Sequence, residues 1–184
     1  IGAKDIDLVQ TEKSQIIQKS GLLEMVQLRE AMQDIGGLEK LKPWLEQKSQ
    51  IFADWPAARD FGVESPKGVM IVGMPGCGKS LTAKATAKLF RLPLLKMDIG
   101  SLMGKYVGES EGNMRRAIAV AEAVSPCVLW VDEVEKAFAG IGSGAAGSEV
   151  ATRLFGYFLT WMQEKTPQVF VVTTANDISV LPPE

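Results

Sequence analysis

The run Gly73-Met74-Pro75-Gly76-Cys77-Gly78-Lys79-Ser80 constrains this chain more than any other feature. It joins a short apolar segment, Val69 to Gly73, to an amphipathic one, Lys79 to Phe90. Glycine tolerates backbone conformations that other residues resist, so the chain can pass from strand to helix here in one tight turn. The same alternation continues downstream. Strands are expected at Leu94 to Asp98, Val128 to Asp132 and Val169 to Thr174, and helices at Ser110 to Ala123 and Glu149 to Glu164. In the last helix Leu154, Phe155, Phe158, Leu159 and Met162 form one apolar stripe. Strands separated by helices of this length imply crossovers and hence a parallel sheet covered on its faces.

Upstream of Gly68 the pattern differs. Residues 1–33 are polar and helix-rich, with Thr11 and Ser20 as plausible N-caps and apolar positions at Ile16, Ile17, Leu22, Leu23, Val26 and Leu28. They are expected to form an N-terminal helical arm or linker ahead of a core at 34–184. Gly36-Gly37 interrupts the pattern and Leu38 to Phe52 resumes it, while Pro56 and the stretch Phe61 to Lys67 read as a connector. Ala139 to Gly147 reads as a glycine-rich mobile loop.

Bulk properties narrow the function. With 46% hydrophobic and 23% charged residues, the 184-residue chain is a globular protein with a real core. A net charge of -2 offers no general attraction to nucleic acid or anionic membrane. No apolar run approaches the ~20 residues of a membrane span, and the first ten residues lack the apolar stretch of a leader, so a cytoplasmic setting is expected. The two cysteines, Cys77 and Cys127, make no framework, and the absence of histidine removes imidazole chemistry. Carboxylates, lysine and backbone amides are left to do the chemistry.

The segment from Gly73 to Ser80 fits the phosphate-cradling pattern G-x-x-x-x-G-K-[ST] in its required strand-to-helix setting. The expected fold is therefore α/β, a P-loop NTPase with three αβα layers around a mainly parallel sheet. Backbone N–H groups of Pro75-to-Leu81 residues other than proline, that is Gly76, Cys77, Gly78, Lys79, Ser80 and Leu81, would point with the helix N-terminus at phosphate. Larger side chains at 76 and 78 are expected to crowd that nest. Lys79 supplies a compact charge to the β/γ oxygens, and the Ser80 hydroxyl is a hard ligand suited to Mg²⁺. Cys77 reads as a small loop filler; a reactive thiol at a helix N-terminus is the alternative.

The apolar strand Val128 to Val131 ends in Asp132 and Glu133. About fifty residues after a P-loop, such a pair suits a metal-holding acid followed by a base for the attacking water. Glu135 is expected past the strand tip, paired with Lys136 or solvent. Asn176 ends the last strand candidate; its amide could bond a γ-phosphate oxygen and the attacking water, or simply form a turn before Asp177.

With these residues in place, the chain resembles the AAA+ family, and within it the AAA group of hexameric unfoldases and remodellers, over Asp34 to Glu184. Asp34-Ile35-Gly36-Gly37 is similar to that group's opening motif, which implies an adenine-pocket role for Asp34, Ile35 and Gly36. Lys105-Tyr106-Val107 within Lys105 to Glu111 is similar to the segment whose aromatic residue projects into the central pore; by itself Tyr106 beside glycines reads as a surface residue packing on its own loop. Arg115 and Arg116 read as solvated arginines, with contact to a neighbouring subunit as the alternative. Asn176 matches the family's sensor position. The stretches Pro126 to Phe138 and Phe158 to Lys165 look closer still to the AAA ATPases first described as conserved plastid reading frames, which would place a plastid-encoded member in the stroma.

The resemblance implies ATP or ADP with Mg²⁺, self-association into a ring and a protein substrate. It also implies an arginine finger, a further strand and a helical lid after the sensor, whereas this sequence ends at Leu181-Pro182-Pro183-Glu184. The expectation is a truncated form, a proteolytic fragment or an incomplete protein, weak in ATP hydrolysis and with the P-loop strand left at a sheet edge. Two rival functions stand beside the remodelling motor. One is a nucleotide-binding module with little turnover; the other is a small-molecule P-loop kinase, for which no second substrate pocket or basic lid is visible in the sequence.

Overall fold

The computed structural model describes residues 3–29, 32–102, 109–138, 146–165, 168–177 and 179. Among the described residues five strands form one sheet: β1 (Glu24–Val26), β2 (Gly68–Val72), β3 (Leu94–Asp98), β4 (Cys127–Asp132) and β5 (Val169–Ala175). Their spatial order is β1-β3-β4-β5-β2. The pairs β3–β4, β4–β5 and β5–β2 are parallel, and β1 alone runs antiparallel, against β3. The helices are α1 (Ala3–Ser20), α2 (Leu41–Ala53), α3 (Trp55–Asp60), α4 (Lys79–Phe90), α5 (Ile99–Leu102), α6 (Glu109–Ala123) and α7 (Ala146–Glu164). Single 3₁₀ turns occupy Met32–Asp34 and Val134–Phe138.

Strand alternation divides the core. Leu94, Val128, Trp130, Phe170 and Val172 face one way and join Leu45 and Phe52 of α2 with Ala83, Ala87 and Phe90 of α4. Leu95, Met97, Leu129, Val131 and Val171 face the other way and meet Ile17 of α1, Met114 and Ile118 of α6, and Leu154 and Phe158 of α7. The three-layer αβα arrangement follows, and β3, β4 and β5 read as almost continuously apolar because both of their faces are covered. On the first face Phe52, Phe90 and Phe170 pack ring on ring, the closest pair of centroids being 4.7 Å apart.

Strand β2 lies at the edge, as the sequence led one to expect, and among the described residues only β5 pairs with it. Its Met70 and Val72 are 43% and 42% exposed. The far end of α7 is tied to β2's entry: Lys67 Nζ donates to the carbonyls of Gln163 (3.0 Å) and Lys165 (3.2 Å), a cation on the negative end of the helix dipole.

Two local expectations are corrected. Leu22 to Leu28 is not a helix, Thr11 lies in the interior of α1, and Ser20 does not open a helix. It closes α1, its hydroxyl donating to the Ile17 carbonyl at 2.6 Å, and Gly21 at φ +63° turns the chain so that β1 can pair with β3. A run of seven residues was too short to separate helix from strand by period alone. Pro56 is not in a connector but in the first turn of α3, where its missing N–H costs nothing; Asp54 caps that helix by accepting from the Ala57 N–H.

Candidate functional site

In a parallel sheet the strand C-termini share one edge, and the residues that follow them converge there. The end of β5 lies between those of β4 and β2. The Gly73 N–H donates to the Ala175 carbonyl at 3.2 Å, so the glycine loop leaves β2 directly beside Asn176. On the other side β4 delivers Asp132 and Glu133.

The loop itself is held by short-range bonds. Lys79 Nζ donates to the carbonyls of Gly73 (2.6 Å) and Met74 (2.9 Å), folding its ammonium back across the turn. Gly76 and Gly78 have φ +83° and +89°, and Gly78 is the N-cap of α4. A Cβ built at Gly76 or Gly78 meets no protein atom within 4 Å, so the space it would enter is that left open for an anion. Glycine is required there by the left-handed backbone. Space limits Gly73 instead, where a Cβ would come within 2.7 Å of Cys77 Sγ. Cys77 itself is exposed. Ser80 stands exposed in the first turn of α4, and Leu81 is half-buried beside it.

The acidic side is organised by a residue that sequence reasoning missed. Thr174 Oγ1 donates to Asp132 Oδ1 at 2.7 Å, and accepts from Trp130 Nε1 and from the Glu133 N–H, both at 3.3 Å. One hydroxyl thus fixes the metal-type acid and the backbone of its neighbour. Glu133 has φ +50°, a left-handed conformation that costs a non-glycine residue about 1–2 kcal/mol. Its N–H bond to Thr174 offsets part of that. Asp132 Oδ2 pairs with Lys96 of β3 at 3.0 Å, and the same ammonium lies 4.6 Å from the Trp130 ring centroid. The available signal for Lys96 was a lysine between apolar residues of a strand in a covered sheet, a position where charge needs a partner.

Glu135 also departs from expectation. It pairs with neither Lys136 nor solvent: its Oε1 accepts from the Asn176 N–H (3.0 Å) and from Asn176 Nδ2 (2.7 Å), while Oε2 is buried without a partner. The 3₁₀ turn after β4 swings it back toward β5. Lys136 instead forms an ion pair with Glu133 Oε2, and that hydrogen bond raises the lysine above its usual range. Asn176 Nδ2 lies 3.5 Å from Glu133 Oε1, so Glu133, Asn176 and Glu135 form one connected group.

The remaining expected residues lie elsewhere. Asp34 ends the 3₁₀ turn that packs on α4, and Ile35 is buried, its carbonyl accepting from Lys42 Nζ. Gly36 is exposed. Arg115 stacks over Tyr157, 4.8 Å from its ring centroid, and Arg116 donates to Asn113 Oδ1 at 2.6 Å. Lys105, Tyr106 and Val107, and residues 139–145 of the glycine-rich loop, lie outside the described residues.

A mainly parallel sheet with a glycine turn from β2 into α4, bordered by strand-end acids, defines the P-loop α/β class. Residues 69–184 match the family model "ATPase family associated with various cellular activities (AAA)", and the chain belongs to that family. It is similar to the AAA domain-containing protein ycf46 of Pyropia yezoensis, with 47% identity over 184 residues, and to ycf46 of Guillardia theta, with 46% over 184. Both alignments take in the whole of this chain but only 37% and 36% of those proteins. The chain therefore spans little more than a third of the length of these relatives. It is also 37% identical over 150 residues to the human ATPase family gene 2 protein homolog A, which is 78% of this chain and 16% of that protein.

The donor set suits a divalent cation held with nucleotide. Among the described residues no group of three or more acids or cysteines could cage a metal. Asp132 and Ser80 are oxygen donors of the type that suits a cation with further ligands from phosphate and water, and in this structure both Asp132 oxygens are engaged by Thr174 and Lys96. Among the same residues no helix is long and apolar enough to cross a membrane.

Proposed function

We propose that this chain is the ATP-binding and ATP-hydrolysing core of a remodelling ATPase, with residues 34–184 carrying the chemistry and the N-terminal arm adding β1 to the sheet and Ile17 to its core. The observation that carries this reading is the convergence of the Gly73 turn, Asn176 and the Asp132–Glu133 pair on one sheet edge, within a chain of the AAA family. The backbone N–H groups of 76–81 receive the β-phosphate, and Lys79 turns its ammonium from the Gly73 and Met74 carbonyls to the β/γ oxygens. Asp34, Ile35 and Gly36 border the adenine. Glu133 accepts the proton of the attacking water, and Asn176 orients that water against the γ-phosphate. Ser80 and Asp132 would hold Mg²⁺, which when bound would supply positive charge against the phosphates.

In the full-length protein the reading extends to a ring of subunits and to Lys105, Tyr106 and Val107 gripping a protein substrate in its pore. The setting is the cytoplasm, or the stroma for a plastid-encoded member.

A second reading, a nucleotide-binding module with little turnover, is favoured by one contact. The Glu133 carboxylate is engaged by Lys136 and lies beside the Asn176 amide, and a base so held must be released before it can take a proton.

ATP-binding isotherms beside single-turnover hydrolysis separate the two. The motor reading expects Glu133→Gln to bind ATP as the parent does while hydrolysis falls by roughly 10²- to 10⁴-fold, the usual weight of a general base. Parent turnover no faster than that of the variant, with binding intact, would establish the module. A kinase would instead pass phosphate to an added acceptor.

A further inference from the structure

Lys96 puts a charge in the middle of β3, between apolar residues of a strand paired on both sides. Its neighbours Leu95 and Met97 are fully buried. Lys96 stands opposite Trp130 in the register, and alternation sets Lys96, Trp130 and Asp132 on one sheet face, the face packed by α4. The ammonium rests on the Trp130 ring and reaches Asp132 Oδ2 at 3.0 Å, the two side chains being 30% and 21% exposed. Thr174 holds Oδ1. Both oxygens of Asp132 therefore already have donors from the chain itself.

We propose that Lys96 is a charge-compensating positioning residue for Asp132, one that lets the phosphate site hold a nucleotide without its divalent cation and so sets how strongly binding depends on metal. The inference rests on the nucleotide reading above. A bare carboxylate beside a polyphosphate repels it, strongly so where water is partly excluded, and a bound cation ordinarily removes that repulsion. Here Lys96 cancels the Asp132 charge in advance. The other nearby lysine, Lys136, is bonded to Glu133 and acts on Asp132 only at longer range, alongside Asp98, so Lys96 is the lysine in direct contact with the carboxylate. The same ion pair competes with the cation for Oδ2, so Lys96 makes metal-free binding stronger and metal binding weaker at once.

The test uses the 184-residue chain, with ADP and ATP isotherms in excess Mg²⁺ and in excess EDTA. The quantity read is the ratio of the two Kd values, which a purely structural role for Lys96 would leave alone. In the parent the ratio is expected to stay below about tenfold, and in Lys96→Met to rise by a further tenfold or more. Lys96→Arg should restore the parent's ratio. Mn²⁺ titration of the ADP-loaded chain, followed by electron paramagnetic resonance, should show tighter metal binding in Lys96→Met. If circular dichroism shows that Lys96→Met does not fold, Lys96→Gln is read in its place. An unchanged ratio in a folded variant overturns the proposal alone. Failure of the parent to bind either nucleotide in either buffer overturns it together with the nucleotide reading.

Discussion

The glycine loop and the acid cluster border the same sheet edge but are built in opposite ways. In the loop, Lys79 bonds carbonyls six and five positions back, and Gly76 and Gly78 supply the turn from their own backbone. In the acid cluster nearly every fixing contact crosses strands. Trp130 and Thr174 are 44 positions apart, Thr174 and Asp132 42, and Asn176 and Glu135 41. Beyond the Gly73 bond to Ala175, the loop's own contacts are set by residues within it. A cluster organised by cross-strand bonds exists only when β3, β4 and β5 are in register, and a single side chain such as Thr174 can carry several of its bonds.

The largest expected effect separates the two regions by function. Lys79→Ala removes a charge-assisted donor and should weaken ATP and ADP binding by roughly 10²-fold. The thermal midpoint should stay close to the parent's, because the lost bonds run only to loop carbonyls. A variant that binds ATP as the parent does would break the assignment of the loop.

Thr174→Val tests the cluster in the other direction. It leaves Trp130 Nε1 and the Glu133 N–H without their acceptor and Asp132 Oδ1 without its donor. Unmade buried bonds of this kind cost about 1–3 kcal/mol, so urea denaturation should register a clear loss of stability. A neutral outcome would mean that the cross-strand bonds do not organise the acids.

Gly78→Ala probes the loop's backbone. With no protein atom near the added methyl, the penalty is conformational alone, about 1 kcal/mol for a left-handed alanine. Gly73 lies outside the left-handed region and its added methyl need only turn aside the exposed Cys77 side chain, so the same substitution there should cost no more, and a larger loss at Gly73 would contradict the loop geometry.

The smallest effect is expected at Lys136→Met. The pair with Glu133 is exposed, so the melting temperature near neutral pH should hardly move. The lysine is raised in the folded chain, so whatever the pair contributes is fully present below the ordinary lysine range and is lost only as pH climbs through the higher folded value. A midpoint difference from the parent that disappears below pH 9 would contradict the pairing.

Legibility followed the same division. Helix α4 was readable to both ends, and β3 to its full extent, because glycine punctuation and apolar runs are properties of neighbouring residues. Asp132, Glu133 and Asn176 were identified as strand-end polar residues after apolar runs. Lys96, Thr174 and the bonding of Glu135 were not, since nothing near each in the chain names its partner. The strand β1 was missed for a related reason: Leu22 to Leu28 is too short to show its period, and β3 decides its state.

The amino-acid sequence by itself determined the α/β class, the strand-to-helix turn at Gly73 to Ser80 and the identities of the residues that end β4 and β5, all set by composition and period over short stretches. Only the tertiary structure decided which hydroxyl and which ammonium hold Asp132, and that Glu135 turns to Asn176 while Lys136 takes Glu133. Those pairings depend on strand register and on a 3₁₀ turn after β4, and register is fixed by packing both faces of the sheet at once.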